Sequence, residues 1–489
     1  MRVLYVNWVD YLDAEGRGGG VSLYQRNLMG ARPGADTLFI ASGTSYDLPA
    51  KAPRWEPMRH GPDADRARRF EIVNSGVLAP GHTSFGDPAQ ISHPATEAAF
   101  LDFIDTHGPF DVVHFNNLEG LPARVLALGG RHPETRVVLS LHNYYPVCPQ
   151  VNLWFEERAH CRDFEGGAAC VKCLPRPPVQ GAVRQGAGLA YRLKSAGMEP
   201  GTRAYDITFA AVLGLGRPTL RAVRALRQRG GASAHVGGQW PGGDAFAARR
   251  AAMVELINTY CDAVLCVSEA VQDIALSYGI SPDIAQTCYI GTAQDAAWAR
   301  TEPKDAARPA GSALRLAYLG YMRRDKGFYF LLDALEAAPD ALLSKLHLTV
   351  AAKAGAPETV RRMQSLAVRL AGFDWQNGYR HDGLDALLAQ IDVGLVPPLW
   401  ADNLPQVAIE MHARHIPLLC SDMGGARELA GAPDMQFPAG DATAFLGRLQ
   451  ALVDGAVDLE GYWDNAKPPQ GMTAHLAELE KVYAGERLS

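Results

Sequence analysis

Two carboxylates eight positions apart, Asp402 and Glu410, frame a turn and a helix start within the stretch 391–428. If the residues between them were all helical, the acids would stand roughly 12 Å apart at about 1.5 Å per residue. A nucleoside diphosphate sugar has that length. One carboxylate would meet sugar hydroxyls and the other the ribose, with the diphosphate near the positive helix end. Asn403 is the candidate N-cap, the helix runs from about Leu404, and Pro405 sits in its first turn. Free amides at such an end attract phosphate and sugar oxygens. In the plainer reading Asp402 only helps the cap and Glu410 only solvates a helix face.

A second site for anion chemistry follows the run LRLAYL at 314–319, where Gly320-Tyr-Met-Arg-Arg-Asp-Lys326-Gly327 leads into an apolar stretch from Phe328. A lysine beside a helix start neutralises a diphosphate and stabilises it as a leaving group; otherwise it is an exposed surface lysine. His142 ends the strand RVVLSL (136–141), and ligands of parallel sheets bind at the carboxyl ends of strands. The alternative is a histidine capping a strand end. His114 reads as a packed or hydrogen-bonded interior residue. Gly18, Gly19 and Gly20 follow the first strand and permit close backbone approach to a ligand, a pattern also found in simple turns.

The spacing of acid, seven residues, Glu410, the short apolar strand IPLLCS, then Gly424-Gly425-x-x-Glu428 resembles the donor-binding motif of family 4 glycosyltransferases, the retaining GT-B enzymes. Lys326 and Gly327 match the family's Lys-Gly. Three positions depart from it: Asp402 is one methylene shorter than the usual glutamate, Tyr321 stands where an arginine is usual, and His142 is followed by Asn143 rather than Asp. The resemblance implies an α/β chain of GT-B type, two Rossmann-like doubly wound domains facing a cleft, with a Cys-rich insert in the first. It implies a nucleoside diphosphate sugar as donor and a glycan or lipid-linked acceptor, with retention of configuration and surface-polysaccharide synthesis as the setting. His142, Lys326 and Asp402 would be catalytic. Gly19, Gly20, Arg323, Lys326, Asp402, Asn403, Leu404, Pro405 and Glu410 would hold the donor, with Arg323 or Arg324 supplying the charge missing at Tyr321. No catalytic metal is expected.

Four of the eight cysteines, Cys148, Cys161, Cys170 and Cys173, fall within 26 residues and end in C-x-x-C. Four thiolates close a tetrahedral zinc site, and a segment with little core of its own gains its fold from the ion. Structural zinc is the expectation. Reduced thiols without metal and a redox pair are the competing readings, and a subset of the family resembles the zinc arrangement.

These residues need a scaffold. Apolar runs at 2–7, 36–41, 111–115, 136–141 and 263–268 alternate with helical stretches, as do runs at 314–319, 346–351, 373–378, 392–397 and 416–421. That alternation argues for parallel sheets covered on both faces. The expected division is 1–290, including an insert at 148–245; a nucleotide-sugar domain at 291–470; and a terminal helix at 471–489 returning to the first domain. A chain of 489 residues with 47% apolar content supports two or three packed domains. The net charge of −6 argues against nucleic-acid binding. No run reaches the ~18 apolar residues of a membrane span, and a cytoplasmic protein is expected, with the inner membrane face as a further option. Residues 181–230 carry nine Lys or Arg and two acids, 9 − 2 = +7. A basic helix there, with Arg221, Arg224 and Arg227 on one face, would touch anionic lipid, or else form a solvated lid. Two other functions share the architecture: a non-catalytic nucleotide-sugar or partner binder, and a nucleotide-sugar 2-epimerase.

Overall fold

The structure is a computed structural model and describes residues 1–13, 17–174, 179–212, 214, 241–304 and 311–488. The first sheet contains β1 (Val3–Asn7), β2 (Thr37–Ser45), β3 (Arg54–Pro57), β4 (Arg69–Val73), β5 (Val112–Phe115) and β6 (Arg136–Leu141). A small hairpin, β7 (Trp154–Phe155) and β8 (Ala159–His160), lies outside it, and β9 (Ala263–Cys266) and β10 (Ala285–Thr287) complete it. Its strand order is β10-β9-β6-β5-β1-β2-β4-β3, parallel except where β3 meets β4. The second sheet holds β11 (Leu314–Gly320), β12 (Leu346–Ala352), β13 (Gly372–Gln376), β14 (Val393–Val396), β15 (Leu418–Ser421) and β16 (Gln436–Phe437), ordered β13-β12-β11-β14-β15-β16 and all parallel. Near-continuous Val, Leu and Ile runs form these strands because both faces of a parallel sheet are covered. The cores are accordingly dry: Val3, Leu4, Tyr5 and Val6 are fully buried in one domain, Leu316, Leu348 and Leu395 in the other.

The strands β3 and β4 escape a reading by apolar runs because they carry charge. Arg69 is fully buried inside β4, where Asp10 meets its guanidinium at 3.2 Å, and Glu71 accepts a hydrogen bond from Ser45 Oγ. Partners distant in sequence make those charges tolerable.

The terminal helix Met472–Tyr483 lies on the first domain, against the helix Gly19–Ala31. Tyr483 Oη bonds His114 Nδ1 at 2.6 Å, and His114 Nε2 bonds Ser140 Oγ at 2.8 Å, so His114 is a satisfied core histidine. The described part of the Cys-rich region packs onto the same domain. Helix Gln180–Ser195 packs against β2, and Arg249 and Arg250 of helix Gly243–Tyr260 bond the carbonyls of Tyr145, Pro146 and Val147. The basic segment 217–229 lies outside the described residues. No helix among the described residues is long and apolar enough to cross a membrane.

The four clustered cysteines, Cys148, Cys161, Cys170 and Cys173, gather closely enough on the first domain to interact electrostatically. Among the described residues, no three of them bring their sulfurs within 4.8 Å of one another. Cys173 Sγ instead donates to Gln150 Oε1 at 3.0 Å, and Cys161 Sγ faces the Asp163 carbonyl at 3.6 Å. Burial, with the neighbouring thiols adding to it, pushes the Cys170 thiol up to about 11 and Cys173 to about 12 in the absence of an ion.

Gly327 shows why a glycine follows the lysine. Its φ is +74°, and a Cβ there would fall 1.7 Å from the Pro397 carbonyl oxygen. Gly327→Ala should therefore destabilise the second domain by about 1–3 kcal/mol in denaturant unfolding, through overpacking against backbone. An unchanged unfolding midpoint would contradict that packing.

Candidate functional site

The carboxyl ends of both sheets face one cleft of about 740 Å³. The first domain contributes the loop after β1, Gly19, Gly20, Tyr24, Arg26 and His142; the second contributes Lys326, Lys353, Tyr379, His381, the loop 402–405 and Glu410. The sequence-derived set therefore gathers from two domains, with one exception. Arg323 does not line the cleft. Its guanidinium is held by both carboxylate oxygens of Asp325 at 2.8 and 2.9 Å. Arg324 is turned onto the Tyr329 ring. The cations that do line the cleft beside Lys326 are Arg26 and Lys353. Both were missed in the sequence. Lys353 directly follows β12, so the strand-end rule alone points to it.

The helix behind the two acids begins later than its sequence suggests. It spans Gln406–His412, with Pro405 at the N-cap, and no side chain caps it. Asn403 is not the cap because the loop has another use for it. Its carbonyl accepts from Ser268 Oγ of the first domain at 2.7 Å, and its buried Oδ1 has no partner. Asp402–Pro405 are thus loop, not helix. A second, longer helix, Gly19–Ala31, also starts in the cleft without a side-chain cap. The two starts touch: a Cβ on Gly20 would lie 3.0 Å from Gln406 Cγ. First-turn amides of both helices are left to other partners.

Lys326 Nζ bonds Asp402 Oδ2 at 2.5 Å and sits 5.0 Å above the centre of the Trp400 ring. Glycines set this loop from behind. The Gly425 amide donates to the Asp402 carbonyl at 2.9 Å, and Cβ atoms on Gly424 and Gly425 would come within 2.1 Å of Asp402 O and 2.3 Å of Asn403 O. Glu428, the acid of that glycine motif, does not line the cleft. Its carboxylate accepts from the Glu269 and Ala270 amides at 2.9 and 2.8 Å and from Tyr289 Oη at 2.8 Å. It caps the first-domain helix Glu269–Ser277 and ties the domains together.

Glu410 is 1% exposed. Tyr379 Oη donates to its Oε2 at 2.8 Å, and His381 Nδ1 lies 3.0 Å from Oε1. Neither residue was singled out in the sequence, although both follow the end of β13. The hydrogen bond from His381 to Glu410 raises the histidine's pKa above its ordinary value. His142 behaves oppositely. Burial, then the neighbouring His475, holds it down at about 3, so its ring is neutral at physiological pH. Its Nε2 has no partner, and Tyr24 packs on its ring at 4.8 Å. In the first domain Asn143 Nδ2 donates to buried Glu119 Oε1 at 2.6 Å, which gives Asn143 a structural use where the resemblance has an acid.

Two facing parallel-sheet domains with a cleft at their strand carboxyl ends define the GT-B class, and comparison with solved structures bears this out. HepE from Anabaena in complex with UDP aligns over 99% of this chain and 100% of that one, at 12% identity and a TM-score of 0.55. Sucrose-phosphate synthase from Thermosynechococcus elongatus aligns over 99% and 98%, at 14% identity and 0.54. The trehalose 6-phosphate synthase of Burkholderia multivorans aligns over 99% and 95%, at 14% identity and 0.50. Residues 313–454 match the family described as "Glycosyl transferases group 1". No curated protein matches the sequence.

The raised pKa of His381 makes its bond to Glu410 a pH-dependent stabiliser. The contribution is complete below the unfolded histidine pKa of about 6.5 and fades as pH rises through the folded value. The stability gap between wild type and His381→Gln should therefore be larger at pH 6 than at pH 9. Equal gaps at both pH values would contradict a charged bond.

Proposed function

We propose that the protein transfers a sugar from a nucleoside diphosphate sugar to a hydroxyl acceptor, and that the donor lies along the second-domain wall of the cleft from Lys326 to Glu410. The observation that carries this reading is the convergence in one cleft of Lys326, Arg26 and Lys353, two uncapped helix starts, and two buried acids, Asp402 opening the loop 402–405 and Glu410 in the helix after it. Three cations and free amides suit a diphosphate; a carboxylate locked by Tyr379 and His381 suits a ribose diol. The group 1 glycosyltransferase match over 313–454 covers this wall. UDP-glucose, which the HepE neighbour holds, is the first donor to try, and UDP the first nucleotide product to test for binding.

In this reading the leaving diphosphate takes over Lys326 from Asp402, and Asp402 turns to the sugar hydroxyls. Lys326, with Arg26 or Lys353 in place of the arginine absent at Tyr321, stabilises the charge that develops as the glycosidic bond breaks. The acceptor hydroxyl attacks from the same face, and its proton passes to the departing diphosphate oxygen, so configuration is retained. His142, neutral and with Nε2 unpartnered, hydrogen-bonds the sugar or the acceptor without attracting the anion. A glycan or lipid-linked acceptor would enter against the first domain, and surface-polysaccharide assembly is the proposed setting.

Release of nucleoside diphosphate from UDP-, GDP- and ADP-sugars tests the proposal. With the accepted donor, Lys326→Met should lower kcat about 100-fold or more, the size of losing one developing-charge stabiliser. Glu410→Gln should act mainly on donor KM. Tight nucleotide binding with no release from any donor would instead support the non-catalytic binder.

A further inference from the structure

A second cluster of reactive side chains lies away from the donor wall, at the crossing between the domains. Cys288 follows β10, and His475 and Glu478 stand three positions apart, on one face of the helix Met472–Tyr483. Cys288 Sγ is 3.9 Å from His475 Nδ1 and 3.8 Å from Glu478 Oε2. Their three donor atoms all lie within 4.8 Å of one another, and among the described residues this is the only group of three Cys, His, Asp or Glu so disposed. Cys288 and His475 are 4% and 2% exposed.

We propose that Cys288, His475 and Glu478 bind one zinc-class divalent cation that staples the terminal helix to the domain crossing. With Zn–S at about 2.3 Å and Zn–N and Zn–O at about 2.0–2.2 Å, neighbouring donors of one tetrahedral ion stand roughly 3.3–3.7 Å apart. The two sulfur spacings need only a few tenths of an ångström of closure, and the His475 and Glu478 donors, within 4.8 Å of each other, close by a side-chain adjustment of the half-buried Glu478. A thiolate selects against magnesium and calcium. The other ring nitrogen of His475 is already engaged: Nε2 bonds Tyr24 Oη at 2.8 Å, the outer hydrogen bond that orients metal-ligating histidines. The surrounding backbone is set for close approach. A Cβ on Gly291 would come within 2.7 Å of both His475 Cβ and Met472 Sδ. The two chain crossings are joined by the Thr292 amide, which donates to the Gln470 carbonyl at 2.9 Å. Without the ion His475 hydrogen-bonds the Tyr289 backbone, so binding displaces that bond and releases the imidazole proton on Nδ1 with the thiol proton, and three protein ligands leave one position for water. The role is structural, and it does not depend on glycosyl transfer.

The test uses the full-length protein stripped with chelator, then titrated with Zn²⁺ and, separately, Co²⁺. One equivalent of Zn²⁺ should raise the melting temperature, and Co²⁺ should give a thiolate charge-transfer band. Glu478→Gln, which keeps the side-chain size, should weaken Zn²⁺ binding at least tenfold. Cys288→Ser should abolish the cobalt band, whereas Cys173→Ser, in the other cysteine cluster, should leave it. A wild type whose melting temperature ignores Zn²⁺, a Glu478→Gln protein with undiminished affinity, a band that survives Cys288→Ser, or one that disappears with Cys173→Ser would each overturn the site.

Discussion

The loop from Trp400 to Pro405 is wedged between two domains, and the cleft takes its shape from that wedge. Behind it, Gly424 and Gly425 press so closely on the Asp402 and Asn403 backbone that no side chain fits. In front, the first domain grips the same loop: Ser268 Oγ bonds the Asn403 carbonyl at 2.7 Å, and Tyr144 Oη bonds that of Ala401 at 2.8 Å. A loop satisfied from both sides loses little further freedom when a ligand arrives, which is the benefit of preorganisation. It also explains a motif acid that never reaches the cleft. Glu428 spends its carboxylate on the amides of a first-domain helix, so the glycine motif that shapes the loop also binds the partner domain.

The wedge fixes the electrostatics. Asp402 is held where Lys326 can pair with it, and the helix start at Gln406 is brought to face the one at Gly19. Positive ends of two helices and the cations Lys326, Arg26 and Lys353 thus meet in a cavity whose far end is closed by Glu410, clamped by Tyr379 and His381. Three acids, Asp13, Asp402 and Glu410, line the same cleft, so the cations act through their placement beside the helix starts and not through a net positive charge.

Much of this was legible in the residues. Parallel strands announce themselves as apolar runs, so β5, β6, β12 and β14 fall within a residue or two of their expected bounds. Their alternation implied parallel sheets covered on both faces, and the resemblance to family 4 glycosyltransferases implied the two-domain GT-B architecture that the structure has. The charged strand β4 was not legible, because Arg69 is paired with Asp10 and Glu71 with Lys194, residues far along the chain. Asn403 looks like a helix cap in sequence, but its carbonyl is taken by a residue 135 positions away, and the helix starts at Gln406. Arg323 looks like a ligand residue until Asp325, two positions on, claims it. Arg26, Tyr379 and His381 carry no motif, and only the folding of distant strand ends into one cleft marks them. The four clustered cysteines are neighbours in the chain and in space, though no three sulfurs lie within 4.8 Å of one another, whereas Cys288 lies 187 positions from His475 and meets it and Glu478 only through the fold.

The most direct measurement is a crystal structure with the nucleoside diphosphate of the accepted donor. The account predicts the diphosphate beside Lys326, between the helix starts at Gly20 and Gln406, with the ribose hydroxyls on Glu410. A nucleotide bound with its diphosphate away from Lys326, or with its ribose out of reach of Glu410, would contradict it.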